Sequence, residues 1–360
     1  VSGKAHLAAA LRWQGEARVE PASILAAALG MAGPVAAGVA TGHLPLGLAA
    51  AVGGLAVGGA SVGPNAKAQV RELGAVLVPA AAAAVAAAAI AGRGPLTDGL
   101  LVVLACTAAI AGGYSRATAV ATTRFILFLI VTINVAGAAP ERVALPILIV
   151  AGALWTAAVN LTLGSVARAG GWSAPAEHGG EPAPPAATAD QKRARWKKTL
   201  TGISGRQYTL RLGICLTVAG ILRSIWPEHH LYWIALTAAL LCERRIETFP
   251  IKTTQRALGT ALGVVLAYAF VALDVAAWGL AAAIGVLAGL RSLLRAKNYL
   301  AYAIAMTPLI ILIMDAGRPL GTGVLIDRLI ATLIGAALVI TVNVLIGGAS
   351  SANGSSSPRG

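Results

Sequence analysis

The chain has 360 residues, 57% of them apolar and 12% charged, with a net charge of +14 and a mean hydropathy of +0.77. Soluble domains carry roughly 25% charged residues, so an ordinary globular domain in water is excluded. The basic residues flank apolar runs and cluster in one linker instead of forming a face, which sets nucleic acid aside as a partner and points to membrane topology. In lipid each segment must satisfy its own backbone, and the period-two alternation of a membrane barrel is absent, so the spans are helices.

In chain order, residues 1–20 lack an uninterrupted apolar core followed by a small-residue cleavage site. They read as an amphipathic cytoplasmic lead-in, with Trp13 at the interface and Lys4, Arg12 and Arg18 on the cytoplasmic side. Six spans follow over about 22–40, 45–62, 72–91, 98–113, 123–139 and 143–164, making a first membrane unit over 21–168. Residues 169–208 are a cytoplasmic linker, first rich in Gly and Pro and then basic. Its segment Lys192-Arg193-Ala194-Arg195-Trp196-Lys197-Lys198 suits anionic lipid headgroups or a docking partner. Six further spans over about 209–224, 230–242, 254–273, 275–290, 298–315 and 325–346 form a second unit over 209–346, and 347–360 reads as a disordered Gly/Ser-rich tail. The three cysteines, Cys106, Cys215 and Cys242, sit in or at the ends of apolar runs and read as small packing residues.

The two units repeat one another. Arg71-Glu72-Leu73-Gly74 returns 185 positions later as Arg256-Ala257-Leu258-Gly259. Arg142, Gly152 and Asn160 have counterparts in Arg328, Gly335 and Asn343. The expected architecture is therefore an all-α polytopic membrane protein of about 12 transmembrane helices, in two six-helix repeats. An even number of spans per repeat makes them parallel, related by an axis near the membrane normal, and such repeats usually enclose a pathway where they meet. With both termini inside, the cytoplasmic segments hold 23 Lys and Arg and the outer ones five, as the positive-inside rule asks. The expected location is the plasma (cell inner) membrane.

No nucleotide, hydrolase, zinc or dithiol motif is present, so neither an enzyme nor a cofactor is expected. Lys252 and Arg256 are four residues apart and share a helix face, as do Lys67 and Arg71 in the first repeat. Both pairs fit cytoplasmic topology charge and equally a basic vestibule that gathers anions. Gly259 and Gly263 allow a neighbouring helix to approach closely. Asn298-Tyr299 opens a span carrying Met306-Thr307-Pro308, where the proline frees a carbonyl and Thr307 can line the gap. Arg211 and Arg223 are ~18 Å apart on a helix. They either snorkel to opposite interfaces or face water inside the protein. Glu228-His229-His230 reads as an outer loop rather than a metal site, since adjacent residues diverge on a helix. Asp274, Asp315 and Asp327 read as loop or boundary residues.

Five motifs in order carry a family resemblance: Arg211-Leu212-Gly213; Tyr232-Trp233-Ile234-Ala235-Leu236-Thr237; Arg256, Gly259, Thr260 and Gly263; Asn298-Tyr299; and Asp327-Arg328 with Gly335. Over about 205–346 the chain resembles the fusaric acid resistance (FUSC) family, which includes aromatic carboxylic acid exporters. It is more distantly similar to the aluminium-activated malate transporters. The resemblance implies an organic-anion pathway, with Trp233, Lys252, Arg256, Tyr299 and Arg328 at the family's motif positions. In that reading Lys252 and Arg256 attract a carboxylate, Trp233 and Tyr299 contact an aromatic body, and Arg328 lies near the outer exit. The chain departs from the family's long exporters in having only a short linker between its halves, and its first half has Leu44-Pro45-Leu46 where the second has the Tyr-Trp pair. The alternatives are a passive anion channel and a non-transporting scaffold of envelope assembly. A homo-oligomer or a partner subunit is compatible with each.

Overall fold

The computed structural model describes residues 19–60, 65–138, 144–171, 188–242, 249–273, 275–315 and 322–354, with Leu11, Trp13 and Val62. Among these residues the protein is all helical. Its thirteen helices are α1 (Pro21–Ala40), α2 (Leu44–Val57), α3 (Ala66–Ile90), α4 (Pro95–Ala111), α5 (Arg116–Ala138), α6 (Ala144–Ala169), α7 (Ala189–Thr201), α8 (Ile203–Ile225), α9 (Tyr232–Leu241), α10 (Phe249–Ala272), α11 (Ala277–Lys297), α12 (Tyr299–Asp315) and α13 (Thr322–Gly354).

Side chains at the helix starts take up backbone donors that would otherwise lack a partner. Asn65 accepts from the Ala68 N–H at 2.8 Å, Ser115 from Thr118 at 3.1 Å and Asn298 from Ala301 at 3.0 Å. Asn298 in the Asn298-Tyr299 motif is thus the cap of α12. Proline opens α1 and α4, where its missing N–H costs nothing. Several helices start earlier than the apolar pattern: α3 begins at Ala66 and α5 at Arg116, because a basic first turn is as helical as the apolar turns after it. The last helix runs to Gly354, past the boundary at 346 where a tail is expected. The lead-in's Lys4, Arg12 and Arg18 lie outside the described residues, and Trp13 is exposed.

Among the described residues, seven helices are long and apolar enough to cross a membrane: α1, α3, α5, α6, α8, α11 and α13. Four more apolar helices, α2, α4, α9 and α12, are shorter. The outer faces are as apolar as the interior, with Val78, Val85, Val103, Ile147, Leu154, Val265, Val286, Val344 and Leu345 all exposed. Helices apolar all round belong in lipid, and this is a membrane protein. The ten-residue α9 is short because the protein surrounds it: every residue from Trp233 to Ala239 is buried, as is Leu241.

Within residues 21–169, α1 packs on α2 and α6, α2 on α6, α3 on α5 and α6, and α4 on α5. Within 203–354, α8 packs on α9 and α13, α9 on α13, α10 on α12 and α13, and α11 on α12. Across the seam α1 meets α11 while α4 meets α8, and α2 meets α12 while α5 meets α9. Glycine sets the tightest contacts. A methyl group on Gly53 would fall on the Ile149 carbonyl oxygen, and one on Gly152 on that of Ala50, so α2 and α6 touch backbone to backbone. Gly335 does similar work for α9 and α13, where a Cβ would stand 2.9 Å from that of Thr237. Gly259 and Gly263 bring α10 against α12, with built Cβ atoms 2.5 Å from Ala303 and 2.6 Å from Thr307.

The linker helix α7 carries a capping box, Thr188 with Gln191, and is held to the body by an edge-on contact of Trp196 with Tyr114, ring centroids 6.3 Å apart. Arg193, Arg195, Lys197 and Lys198 are exposed along it.

Candidate functional site

The seam encloses a cavity of about 450 Å³. From the first half it takes Leu55, Ala56, Gly58 and Gly59 of α2 with the loop after it, and Arg124, Leu127, Phe128 and Val131 of α5. The second half contributes Leu236 and Leu240 (α9), Lys252 and Arg256 (α10), Arg291, Ser292 and Arg295 (α11), and Tyr299, Tyr302, Met306 and Ile310 (α12). Each helix presents one stripe. On α12 the lining positions 299, 302, 306 and 310 recur at three and four residues, and on α5 so do 124, 127, 128 and 131.

Charge is graded along these stripes. Tyr299, Lys252, Arg291 and Arg295 occupy one end, with Arg295 exposed at the mouth and Arg291 and Arg256 buried behind it. Eleven residues from Tyr299 to Ile310 carry α12 about 16 Å away from that end. There Val131, Leu236, Met306 and Ile310 supply only apolar lining. The five cations are joined by no Asp or Glu among the described lining residues. Glu72, outside the lining, is within electrostatic reach of Arg124.

Backbone carbonyls set two of the guanidinium groups, those of Arg291 and Arg124. Arg291 donates Nη1–H to the Leu55 carbonyl at 3.1 Å, so the second half caps the last turn of α2. The loop that receives it is glycine: a Cβ on Gly58 would lie 2.7 Å from Arg291 Nη2, and one on Gly59 2.6 Å from Arg295 Nη1. Arg124 donates to the Ala75 carbonyl at 3.0 Å. Lys252 Nζ stands 5.2 Å from the Tyr299 ring centroid, a cation–π distance. Arg256 is 1% exposed, and its Nε and Nη2 find no hydrogen-bond partner among the described residues; the same holds for Arg291 Nη2. Both residues line the cavity, and unpartnered guanidinium N–H groups in its wall are what an anion requires.

The other predicted site residues lie elsewhere. Trp233 is on the α9 stripe one turn beyond Leu236, past the apolar end, fully buried with the Arg328 guanidinium 3.5 Å over its ring. Thr307 is one position off the α12 stripe, rotated about 100° from Met306. It packs on Gly263 and donates to the Ala303 carbonyl at 2.9 Å, so its neighbours Met306 and Ile310 line the cavity instead. Arg211 donates to Asn343 Oδ1 at 2.9 Å, tying α8 to α13. Asn160, the repeat counterpart of Asn343, accepts from Gln69 Nε2 at 2.7 Å. Lys67 and Arg71 are exposed and do not line the cavity, although their sequence pattern matches that of Lys252 and Arg256.

Arg223 forms a half-buried ion pair with Asp98 at 2.8 Å, pinning α8 to α4 across the seam. Removing one partner strands the other charge, whereas replacing both with apolar groups does not. Asp98→Asn should therefore cost about 1–2 kcal/mol in thermal unfolding in detergent. Asp98→Leu combined with Arg223→Met should recover most of that. His229 and His230 hold Asp327 between them, at 2.9 and 3.0 Å, with the His230 N–H donating as well. Asp327 is therefore largely buried, and the loop expected at the outer face is fastened to the start of α13. Cys215 and Cys242 are buried with sulfurs 4.0 Å apart, and all three cysteines are free.

Other hollows differ in chemistry. Two grooves of about 410 and 420 Å³ run between α4 and α8, and Asp98 is the one charged residue among their described lining.

Residues 214–342 match the family described as fusaric acid resistance protein-like. The matched stretch lies wholly within the second half of the chain. No curated protein and no solved structure matches the chain. The fusaric acid resistance-like region supplies four of the five cations and both tyrosines of the cavity, and the first half adds Arg124. Transport and efflux across a membrane are the roles that go with this family. Sequence reasoning did not single out Arg291, Arg295 or Tyr302 for this site. The signal was there: Arg291 and Arg295 are four residues apart, as Lys252 and Arg256 are, with Tyr302 three residues after Tyr299.

Proposed function

We propose that the chain exports organic anions, aromatic carboxylates among them, driven by an ion gradient or the membrane potential. The observation that carries this reading is the cavity at the seam, with five cations at one end, two tyrosines beside them and an apolar closure at the other. Arg295 and Arg124 draw the anion in, Lys252, Arg256 and Arg291 hold its carboxylate, and Tyr299, Tyr302 and Phe128 flank its body. Beyond Leu236 the route continues along the α9 stripe to Trp233 and Arg328, the exit-side cation. In this arrangement the cavity faces the cytoplasm and is closed toward the outside.

The helices form two parallel six-helix repeats, 12 spans in all, with both ends of the chain cytoplasmic. Supporting this, each of the six first-half packing pairs named above has a counterpart in the second half, and the cross-seam pairs also correspond two by two. Helix α7 lies on the cytoplasmic surface and offers Lys192, Arg193, Arg195, Lys197 and Lys198 to anionic headgroups, worth about 1 kcal/mol per basic residue.

Reconstituted into liposomes, the protein should give saturable flux of a carboxylate panel that responds to an imposed pH gradient or potential. Flux no greater than in protein-free liposomes for every carboxylate would reject the proposal. Large, non-saturating currents in a planar bilayer would replace the carrier with a channel.

A further inference from the structure

We infer that the cavity is built for an anion bearing at least two negative charges, held between the α10 and α11 cations. The inference rests on the anion-transport reading and narrows its substrate class. Arg124, Lys252, Arg256, Arg291 and Arg295 share about 450 Å³, with no carboxylate in the described lining. Arg295 is within electrostatic reach of both Arg124 and Arg291, so the cluster repels itself. Ordinary topology charge spreads into solvent; here Arg256 and Arg291 are buried instead, with donors that no described group accepts.

A single carboxylate has two oxygens and one charge. Placed on Arg256 it leaves Arg291, on the neighbouring wall, uncompensated in a site sheltered from water. A second carboxylate or a phosphoryl oxygen on the same small molecule neutralises both walls and uses both sets of donors. Gly58 and Gly59 leave the space in which the Arg291 and Arg295 guanidinium groups lie. The tyrosines Tyr299 and Tyr302 then meet the spacer between the anionic groups. Recognition therefore depends on the number of charges more than on the ring.

A ring-matched series separates these variables: benzoate, isophthalate and trimesate carry one, two and three carboxylates on the same ring. Calorimetric titration of the purified full chain at pH 7.5 and low salt should show affinity rising about tenfold with each added carboxylate, and falling with salt. Arg295→Gln, at the exposed mouth, should narrow the trimesate-to-benzoate ratio about threefold while the protein stays folded. Equal affinities across the series, tightest binding of benzoate, or no binding of any member overturns the inference. Vesicle flux of the same three compounds tests the transport reading separately. Flat affinities with measurable benzoate flux remove the charge requirement and leave transport standing. Ordered affinities with no flux of any compound leave the site and remove transport.

Discussion

Arg256→Glu should lower anion flux by two orders of magnitude or more at normal protein level. The Arg256 guanidinium is buried at the cavity wall with Nε and Nη2 available, so it meets its ligand where water screens little. Truncating one partner of a buried, hydrogen-bonded charge pair costs 2–5 kcal/mol or more, and a carboxylate there adds repulsion. The change need not unfold the protein, because the new carboxylate sits one turn from Lys252. Arg256→Lys keeps the charge without the planar fork, and should retain part of the flux with weaker affinity. Initial rates in proteoliposomes, normalised to reconstituted protein, decide the matter. Unchanged flux in Arg256→Glu would remove the residue from the pathway.

The largest effect on stability is expected at Gly152. Valine there must place its Cβ on the Ala50 carbonyl oxygen, and neither side of that contact is a flexible side chain. Overpacking commonly costs 1–3 kcal/mol, and a clash between two backbones belongs at or above about 3 kcal/mol. Gly152→Val should abolish a monodisperse peak in detergent size exclusion or lower the melting temperature steeply. Gly335→Val, whose nearest obstacle is the Thr237 side chain at 2.9 Å, should be milder. Gly74→Val, with nothing within 4 Å, supplies the control for placing a β-branched residue in a helix. Equal losses in all three would show that helix propensity, not the α2–α6 contact, sets the cost.

Where the sequence was legible, local physics decided the outcome. Each expected span overlaps a helix, since an apolar run in lipid has no other way to satisfy its backbone. Gly259 and Gly263 sit where a close helix approach was read, because a missing side chain leaves its mark in the sequence itself. What could not be read is which face of a helix meets the other half. Arg71 and Arg256 begin nearly identical motifs, yet one is exposed and the other buried at the seam. Nothing within either motif differs enough to say so; the packing of α2 on α12 and α5 on α9 does. Thr307 and Met306 differ by a single rotation step on α12, and only the position of α10 tells which one the cavity receives. Arg291 and Arg295 were hidden for a related reason: a cation that sets topology and a cation that lines a cavity look alike in one dimension.

Arg291 deserves a last consequence. Its Nη1 closes the seam on the Leu55 carbonyl, while Nη2, buried beside Gly58 in the cavity wall, has no partner among the described residues. One planar group thus serves two equilibria, closure between the halves and occupancy of the space between them. Linkage requires that they move together: an anion on Nη2 fixes the guanidinium and tightens the closure, and a separation of α2 from α11 lowers affinity by the same factor. In the proposed transport, the bound anion becomes part of the latch.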